Sequence, residues 1–413
     1  MHLSTNLKML FSDLRAQKLR TILTIFGIMW GTMSVILLLA FGSGVERQNL
    51  KNMAGIGDGV VIVWGGKTGI PHKGFNKGRN IRLKYEDAYL LRREIPEIDL
   101  ISPEYSTYNA RVRGPENVDQ TNITGIIPEY EDIRNVFVQQ GGRFINDHDM
   151  ANNVRTAVIG DKICNFLFGT TENIVGRFVR INKIPFRVVG VTQKKVQNSN
   201  YNTRDENRVF IPATTFRAIF GHKYIENLVY KPVSPLYSKS IEERLYSTLG
   251  KKYLFDAKDE DALWIWDTAE FLKVFVAFMA GFKIFLGVIG SFTLTVGGVG
   301  VANIMYVVVR ERTKEIGIKR AVGARRRTIL FQFLFETFVI VAIGAIVGFG
   351  LAAGLVELLQ LLPDEAAEMV GRPELSGSVA IVSILLLGLV ALFAGYFPAR
   401  RASVVDPVNA LHA

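Results

Sequence analysis

The sequence predicts a membrane protein with four transmembrane helices and one large α+β domain outside the cytoplasm. Three observations predict this fold class. Hydrophobic residues make up 49% and charged residues 21% of the 413 residues, a mixture that fits neither a soluble chain nor one buried in lipid. Four apolar runs are each long enough to cross the hydrocarbon core of a bilayer. Basic residues cluster in the short segments that flank those runs.

The formal net charge of +11 is concentrated in three short segments. Residues 8–20, 310–327 and 400–406 together hold fourteen basic and four acidic residues. Because lysine and arginine stay in the cytoplasm during insertion, these segments and both chain termini are predicted to be cytoplasmic. A charge excess that follows the spans argues against nucleic-acid binding. The single cysteine, Cys164, excludes an intramolecular disulfide, and the scattered histidines give no metal-binding spacing.

The first span is predicted at residues 21–43, after a cytoplasmic amphipathic helix at residues 1–20. The run from Thr21 to Phe41 carries no charge and reaches about 30 Å as a helix. A cleaved signal peptide also has a basic flank and an apolar run. This run is longer than the apolar part of a signal peptide and no A-x-A cleavage site follows it, so a retained span is favoured.

Residues 44–270 are predicted to form the extracytoplasmic domain, an α+β fold with two subdomains. Short β-rich runs alternate there with turn residues, and two amphipathic stretches predict helices. The polar, aromatic-poor stretch from Lys194 to Asn207 predicts a mobile loop. The predicted strands are Val60 to Trp64, Thr156 to Ile159, Phe178 to Ile181, Phe186 to Val191 and Arg208 to Ile211, and the predicted helices are Lys84 to Glu94 and Ser238 to Gly250.

Three further spans are predicted after this domain. The apolar run from Phe271 to Val309 is longer than a bilayer is thick, so its outer part is expected to form a stalk that tolerates Lys273 and Lys283. The predicted bounds are 271–309 for the stalk and second span, 310–328 for a cytoplasmic helix, 329–360 for the third span, 361–376 for a short extracytoplasmic loop, 377–398 for the fourth span and 399–413 for a cytoplasmic tail.

Small residues and one acidic residue within the spans carry further information. Helices associate in lipid where small residues let their backbones approach closely. Glu336 lies early in the third span and is expected at the membrane interface, with a proton or substrate role as the alternative. The glycines predicted to make helix contacts are Gly287, Gly290, Gly297 and Gly298.

Two short patterns resemble functional motifs but do not meet their requirements. Gly65-Gly66-Lys67-Thr68 resembles the end of a phosphate-binding loop, yet the required first glycine falls on Val61, and the segment is predicted outside the cytoplasm. A tight turn explains it better. The sequon Asn122-Ile123-Thr124 is too short to carry weight. Fingerprints of hydrolases, zinc proteases, kinases and dinucleotide-binding enzymes do not occur, so the residues give an enzyme no support.

The segment from Asn303 to Gln332 joins the second and third spans. Apolar residues recur there between charges, which predicts a short amphipathic helix along the inner membrane face. Gly323 is expected to end this helix, because glycine adopts the left-handed conformation at little cost. The periodicity leaves two interpretations open, anchoring on lipid and docking of a cytoplasmic partner. The apolar positions are Ile316, Ile318, Ala321 and Val322.

Several stretches resemble the MacB/FtsX-type permease family, the type VII ABC transporters. The run VGGVGVANIMYVVVRERTKEIGIKRAVGARRRTILFQFLFE is similar to the family signature, which has an ERTREIGIRKAIGA core. The run from Gly395 to Ala402, followed by Asp406-Pro407-Val408, is similar to the closing motif of the family. The residues from Leu19 to Ile28 resemble its first-span entry. Gly142 to Phe144, Val158 to Gly160 and Phe186 to Val191 resemble the MacB-type periplasmic core.

The resemblance implies a dimeric permease subunit of the inner membrane that works with a cytoplasmic ABC ATPase. MacB proper carries its ATPase domain before the first span, whereas only twenty residues precede Thr21 here, so a separate ATPase subunit is expected. ATP and Mg²⁺ are then expected on that partner, and this chain is expected to be non-catalytic and without a cofactor. The residues implied in ATPase coupling are Glu311, Arg312, Glu315, Ile316, Gly317, Arg320, Ala321, Gly323 and Ala324.

The family mechanism implied is mechanotransmission. ATP-driven movement of the cytoplasmic helix would pass along the second span, which has no proline from Phe271 to Arg327, to the outer domain. The partner permease is identical or different, and a membrane-fusion adaptor and an outer-membrane channel are further expected partners. The substrate class ranges over antibiotics, peptides and lipoproteins. The alternatives are an FtsX-like signalling subunit that regulates a hydrolase or sensor, and a membrane-anchored enzyme with a pocket in residues 44–270.

Overall fold

The computed structural model describes residues 18–57, 59–195, 197, 201–361, 371–407 and 410. The chain divides into two compact units. The outer domain is the unit Asn49–Phe275, and the membrane unit combines the residues up to Gln48 with those from Val276 onward. Most of the helix predicted at residues 1–20, and most of the loop predicted at residues 361–376, lie outside the described residues.

The outer domain is built on a mixed nine-stranded sheet with the order β3-β7-β4-β6-β5-β2-β8-β1-β9. The long strand β2 changes partner along its length. Its residues 98–104 pair with β8, and its residues 105–113 pair with β3. The strands are β1 (Val61–Gly65), β2 (Ile98–Arg113), β3 (Val118–Ile126), β4 (Thr156–Ile159), β5 (Phe178–Ile181), β6 (Ile184–Val191), β7 (Arg208–Pro212), β8 (Asn227–Pro232) and β9 (Leu263–Asp267).

The helices of the outer domain cover this sheet with their apolar faces. In the helix Asp161–Phe168, for example, Ile163, Cys164 and Leu167 are buried. Each such side chain contributes about 1.5–3 kcal/mol when it leaves water, so a chain without disulfides holds its fold by core packing. The helices are α1 (Lys18–Ala54), which begins in the membrane unit, α2 (Glu86–Glu94), α3 (Tyr130–Arg134), α4 (Asp147–Ala151), α5 (Asp161–Phe168), α6 (Ala213–Phe220) and α7 (Ser238–Tyr253).

The polar stretch predicted as a mobile loop is anchored at several of its described residues. Lys195 donates to the carbonyl oxygens of Arg134 and Asn135, at 2.9 and 3.2 Å. The Tyr201 hydroxyl donates to Glu104 at 2.5 Å, and Asp205 is 1% exposed. The mobile-loop prediction is therefore wrong for these residues, because buried partners on other elements fix side chains whose polarity alone indicated solvent exposure.

Four helices of the described chain are long and apolar enough to cross a membrane. Together with the mixed sheet of the outer domain, they confirm the predicted fold class. The second of these helices has 44 residues, about 66 Å at 1.5 Å per residue, so it exceeds the thickness of the hydrocarbon. Lys283 in its outer part pairs with Glu46. The helices are α1 with α8 (Thr268–Glu311), α10 (Arg326–Gln360) and α11 (Gly377–Ser403), and the short helix α9 (Thr313–Ala321) lies between α8 and α10.

Candidate functional site

The helical path from the second span into the cytoplasmic segment is interrupted at Arg312. Its backbone has φ −93° and ψ 12°, and it separates α8 from α9. The Thr313 hydroxyl donates to the carbonyls of Val309 and Arg310, at 3.1 and 2.8 Å. Such side-chain bonds satisfy the last carbonyls of a helix and compete with its continuation. The turn at Arg312 occurs without a proline, and the helical hydrogen bonds continue across it. The amide of Arg312 donates to the carbonyl of Val308, and the amide of Ile316 donates to the carbonyl of Arg312, both at 3.0 Å.

The C-terminal end of α9 is followed by a glycine that ends the helix, as the sequence predicts. Gly323 has φ +98°, in the region that side-chain-bearing residues rarely adopt. Its amide donates to the carbonyl of Arg320 at 3.1 Å, and the amide of Ala324 donates to the carbonyl of Lys319 at 2.9 Å. These bonds complete the last turn and direct the chain into α10.

One face of α9 is turned into the membrane unit. Arg312 is 9% exposed and Ile316 is 2% exposed. Gly317 lies against Ala410, where a side chain would collide with it. Arg320 donates to the carbonyl oxygen of Ser403 at 2.6 Å. Four of the residues implied in ATPase coupling therefore support α9 from within, and the structure does not place Arg312, Ile316 or Gly317 on an exposed docking surface.

The opposite face of α9, together with the adjoining residues 311 and 322, is exposed and is here called the docking face. It includes Glu311, Glu315 and Ala321 from the implied set, together with Lys314. Two large apolar side chains, Ile318 and Val322, lie four residues apart on it and are 52% and 84% exposed. The amphipathic pattern contains both residues, but the family motif did not single them out as contacts. The four-residue spacing of Ile318 and Val322 is the sequence signal that could have identified them as contact residues.

Glu336, expected at the membrane interface, is buried against other residues of the membrane unit. It is 3% exposed on α10, and both its carboxylate oxygens lie 3.2 Å from Nη1 of Arg312. Gln332 donates to the same carboxylate at 3.1 Å. Lys319 in turn donates to Gln332 at 3.4 Å. The carboxylate is thus committed to an ion pair inside the membrane unit, which disfavours a substrate role.

Three of the four glycines singled out in the second span lie at helix contacts. A side chain on Gly290, Gly297 or Gly298 would meet a neighbouring helix within 3.0 Å. Their neighbours are Val35 and Gly27 on α1 and Val390 on α11, in that order. A side chain on Gly287 would meet no heavy atom within 4 Å among the described residues, so the contact predicted there is not formed within this chain.

The outer domain contains a cluster of titratable groups, called here the buried charge cluster. Its members are Glu104, Arg134, Lys195, Asp205 and Arg208, joined by ion pairs of 2.7–3.7 Å. Burial by itself raises the pKa of Asp205, but its three cationic neighbours outweigh burial and lower the pKa to about 2. Burial also lowers the pKa of Lys195.

This cluster bears on the enzyme alternative. The side chains of Glu104, Arg134 and Arg208 are 0% exposed, so no substrate reaches them in this conformation. Each charge also has an opposite charge beside it, as buried ions require for structural reasons alone. Burial and charge pairing thus account for the cluster without a catalytic role. Among the described residues, no group of acidic, histidine or cysteine side chains is arranged to hold a metal ion.

Two family matches cover most of the chain. Residues 21–245 match the MacB-like periplasmic core domain, and residues 287–407 match the FtsX-like permease C-terminal region. The macrolide export ATP-binding/permease protein MacB of Hyphomonas neptunium is 31% identical over 409 residues, which is 98% of this chain and 60% of the relative. The MacB protein of Bdellovibrio bacteriovorus is 28% identical over 403 residues, 97% of this chain and 60% of the relative. The chain thus spans about three-fifths of the length of these relatives.

Solved structures of single domains match about half of this chain. The periplasmic region of MacB from Actinobacillus actinomycetemcomitans matches with a TM-score of 0.43 and 22% identity, over 55% of this chain and 96% of that one. The extracellular domain of the noncanonic ABC-type transporter YknZ from Gram-positive bacteria matches with a TM-score of 0.41 and 18% identity, over 50% of this chain and 100% of that one.

Proposed function

The chain belongs to the MacB-type ABC transporter permease family, and from this premise we propose that it couples ATP hydrolysis in a cytoplasmic ATPase to motion of its outer domain. The proposed outcome is efflux or release of a substrate of the antibiotic, peptide or lipoprotein class. We place ATP and Mg²⁺ on the ABC ATPase and outside these 413 residues, which contain no complete phosphate-binding loop. The proposed location is the inner membrane, with both termini in the cytoplasm.

The docking face of α9 is the observation that carries this proposal. Ile318 and Val322 present apolar side chains to the outside of the membrane unit, and Lys314 and Glu315 flank them with both signs of charge. An exposed apolar centre with a charged rim is typical of a protein interface. Charges at such a rim set the orientation and rate of docking more than its strength. Lipid anchoring alone would not require an acidic residue beside the apolar pair.

The length of α8 supports transmission of the movement. It is a continuous α-helix from Thr268 to Glu311, and no proline interrupts it. A straight helix resists bending because kinks need proline, a π-bulge or an inserted group. We propose that displacement of α9 by the ATPase moves α8 along its length, so that the substrate is driven by the outer domain and need not cross the bilayer.

A second permease chain is the other proposed partner. Large apolar side chains of α8 remain exposed within this chain, including Phe285, Phe292 and Val296. Phe292 and Val296 line an apolar groove with Phe26 and Trp30 of α1. Lipid or the same helices of a second permease would cover this surface. An adaptor and an outer-membrane channel complete the proposed assembly for an efflux function.

Purification of the intact chain from native membranes, with identification of every bound protein, tests the proposal. We expect an ABC ATPase to copurify with the wild-type chain and its recovery to fall several-fold with Glu315→Lys. Lys239→Glu, a charge reversal at an exposed position of the outer domain, is the matched control and should recover the ATPase fully. Absence of any ATP-binding chain from the wild-type sample would overturn the proposal. A sensor kinase or cell-wall hydrolase bound in place of an adaptor would favour the signalling alternative.

A further inference from the structure

The short helix α9 needs support from outside itself. It has nine residues, and an isolated helix of that length is marginal in water. The backbone of Arg312 departs from helical geometry between α8 and α9, and only a few backbone hydrogen bonds cross this turn, such as that from the amide of Ile316 to the carbonyl of Arg312 at 3.0 Å. Side-chain contacts with the rest of the membrane unit therefore contribute to its orientation.

The ion pair between Arg312 and Glu336 is the most buried polar contact described at this end of α9. Arg312 occupies the break itself, and Glu336 lies on α10, three turns after that helix begins. The two side chains are 10% and 5% exposed, and Nη1 of the arginine lies 3.2 Å from both carboxylate oxygens. In such a poorly hydrated place, separating the two charges is costly, because each loses an oppositely charged neighbour.

Neighbouring polar groups extend this contact along α9. Gln332 donates to the Glu336 carboxylate at 3.1 Å, and Lys319 donates to Gln332 at 3.4 Å. Lys319 in the last turn of α9 and Arg312 just before its first turn thereby contact the same part of α10. Ile316 fills the space between these polar contacts and belongs to the same apolar cluster as Ile329 and Phe333 of α10.

We propose that Arg312 and Glu336 form a joint that makes α9 and the first turns of α10 move as one body. Force applied to the docking face would then reach the third span directly, in addition to the second span. Both residues are positioning residues, and neither contacts the ATPase. The consequence for transport rests on the proposed function, whereas the existence of the joint does not.

Hydrogen exchange measured by mass spectrometry on the full chain in nanodiscs tests the joint. We expect Arg312→Gln and Glu336→Gln each to raise the exchange rate of the α9 amides at least about tenfold, because local opening is no longer opposed by the pair. The swapped variant R312E/E336R should restore protection to within about threefold of wild type. Arg325→Gln removes an exposed arginine from the same segment and is the matched control, expected to leave α9 unchanged.

A second arm uses the complex with the copurified ATPase. In the wild-type complex, nucleotide binding should change exchange in α9 and in residues 326–336 together. In Arg312→Gln it should change α9 alone. Wild-type protection of α9 in both single variants, or a swapped variant as unprotected as the singles, would overturn the joint. Failure to recover an ATPase removes only this second arm and counts against the proposed function instead.

Discussion

Replacing Asp205 with asparagine removes one of two negative charges from the buried charge cluster. The carboxylate lies 2.7 Å from Lys195, 3.4 Å from Arg134 and 3.7 Å from Arg208, and its side chain is 1% exposed. With Glu104 as the other anion, the cluster carries a formal charge of +1 in the native chain. The substitution raises this charge to +2 in a place from which water is excluded.

The size of the expected loss of stability follows from the burial of the groups that contact Asp205. Removing one member of a buried ion pair costs about 3–5 kcal/mol, because the remaining charges lose their compensation. An asparagine keeps the shape and part of the hydrogen bonding, so we expect the lower end, about 3 kcal/mol. For a unit of the length of Asn49–Phe275, each kcal/mol lowers the melting temperature by about 2–4 °C. The expected fall is therefore roughly 10 °C.

Tryptophan fluorescence of the full chain in nanodiscs measures this change. Three of the four tryptophans, Trp64, Trp264 and Trp266, lie in the outer domain, so the thermal transition reports mainly on that unit. Asp99→Asn, at an exposed position of β2, is the matched control and should melt within about 2 °C of wild type. A melting temperature of Asp205→Asn as close to wild type as that of the control would refute the reasoning.

Two further predictions concern acid stability and helix packing. Because the folded pKa of Asp205 lies at about 2, below its ordinary 3.8, the residue stabilises the outer domain above about pH 4. That contribution to the free energy of unfolding, about 2 kcal/mol, is lost as the pH falls toward 2. Wild type should therefore lose its stability advantage over Asp205→Asn in acid. A stability difference between the two proteins that stays constant across this pH range would contradict the lowered pKa of Asp205. Gly298→Val places a side chain against Val390, within 2.7 Å at its first atom, and should lower the melting temperature of the membrane unit, followed by circular dichroism at 222 nm. Gly287→Val meets no atom of the described chain within 4 Å and should leave it unchanged, so equal effects of the two valines would argue against the packing.

The transmembrane spans and several strands of the outer domain can be predicted from local sequence patterns. The run from Thr21 to Phe41 reads as a span because lipid requires a long uncharged helix, whatever the rest of the chain does. Strands such as Thr156–Ile159 and Phe178–Ile181 agree with their predicted bounds. The long strand β2 was missed because it contains Pro103 and buried polar residues, which local propensity disfavours.

The candidate site shows where local patterns fail. Arg312 and Glu315 look alike in the sequence, as charged residues of one cytoplasmic segment, yet one is buried in an ion pair and the other is exposed. The difference depends on Glu336, twenty-four residues later, and a periodicity within one helix does not include that partner. Tyr201 and Asp205 were placed in a mobile loop for the same reason, since the groups that bury them come from α3, β2 and β7.

Photo-crosslinking from the docking face in living cells tests the central claim most directly. A benzophenone amino acid at Val322, which is 84% exposed, should form an adduct with an ABC ATPase. The same group at Ile316, which is 2% exposed, should form none. An adduct from position 322 that contains only proteins from outside the cytoplasm, or no ATPase at any docking-face position, would contradict the account.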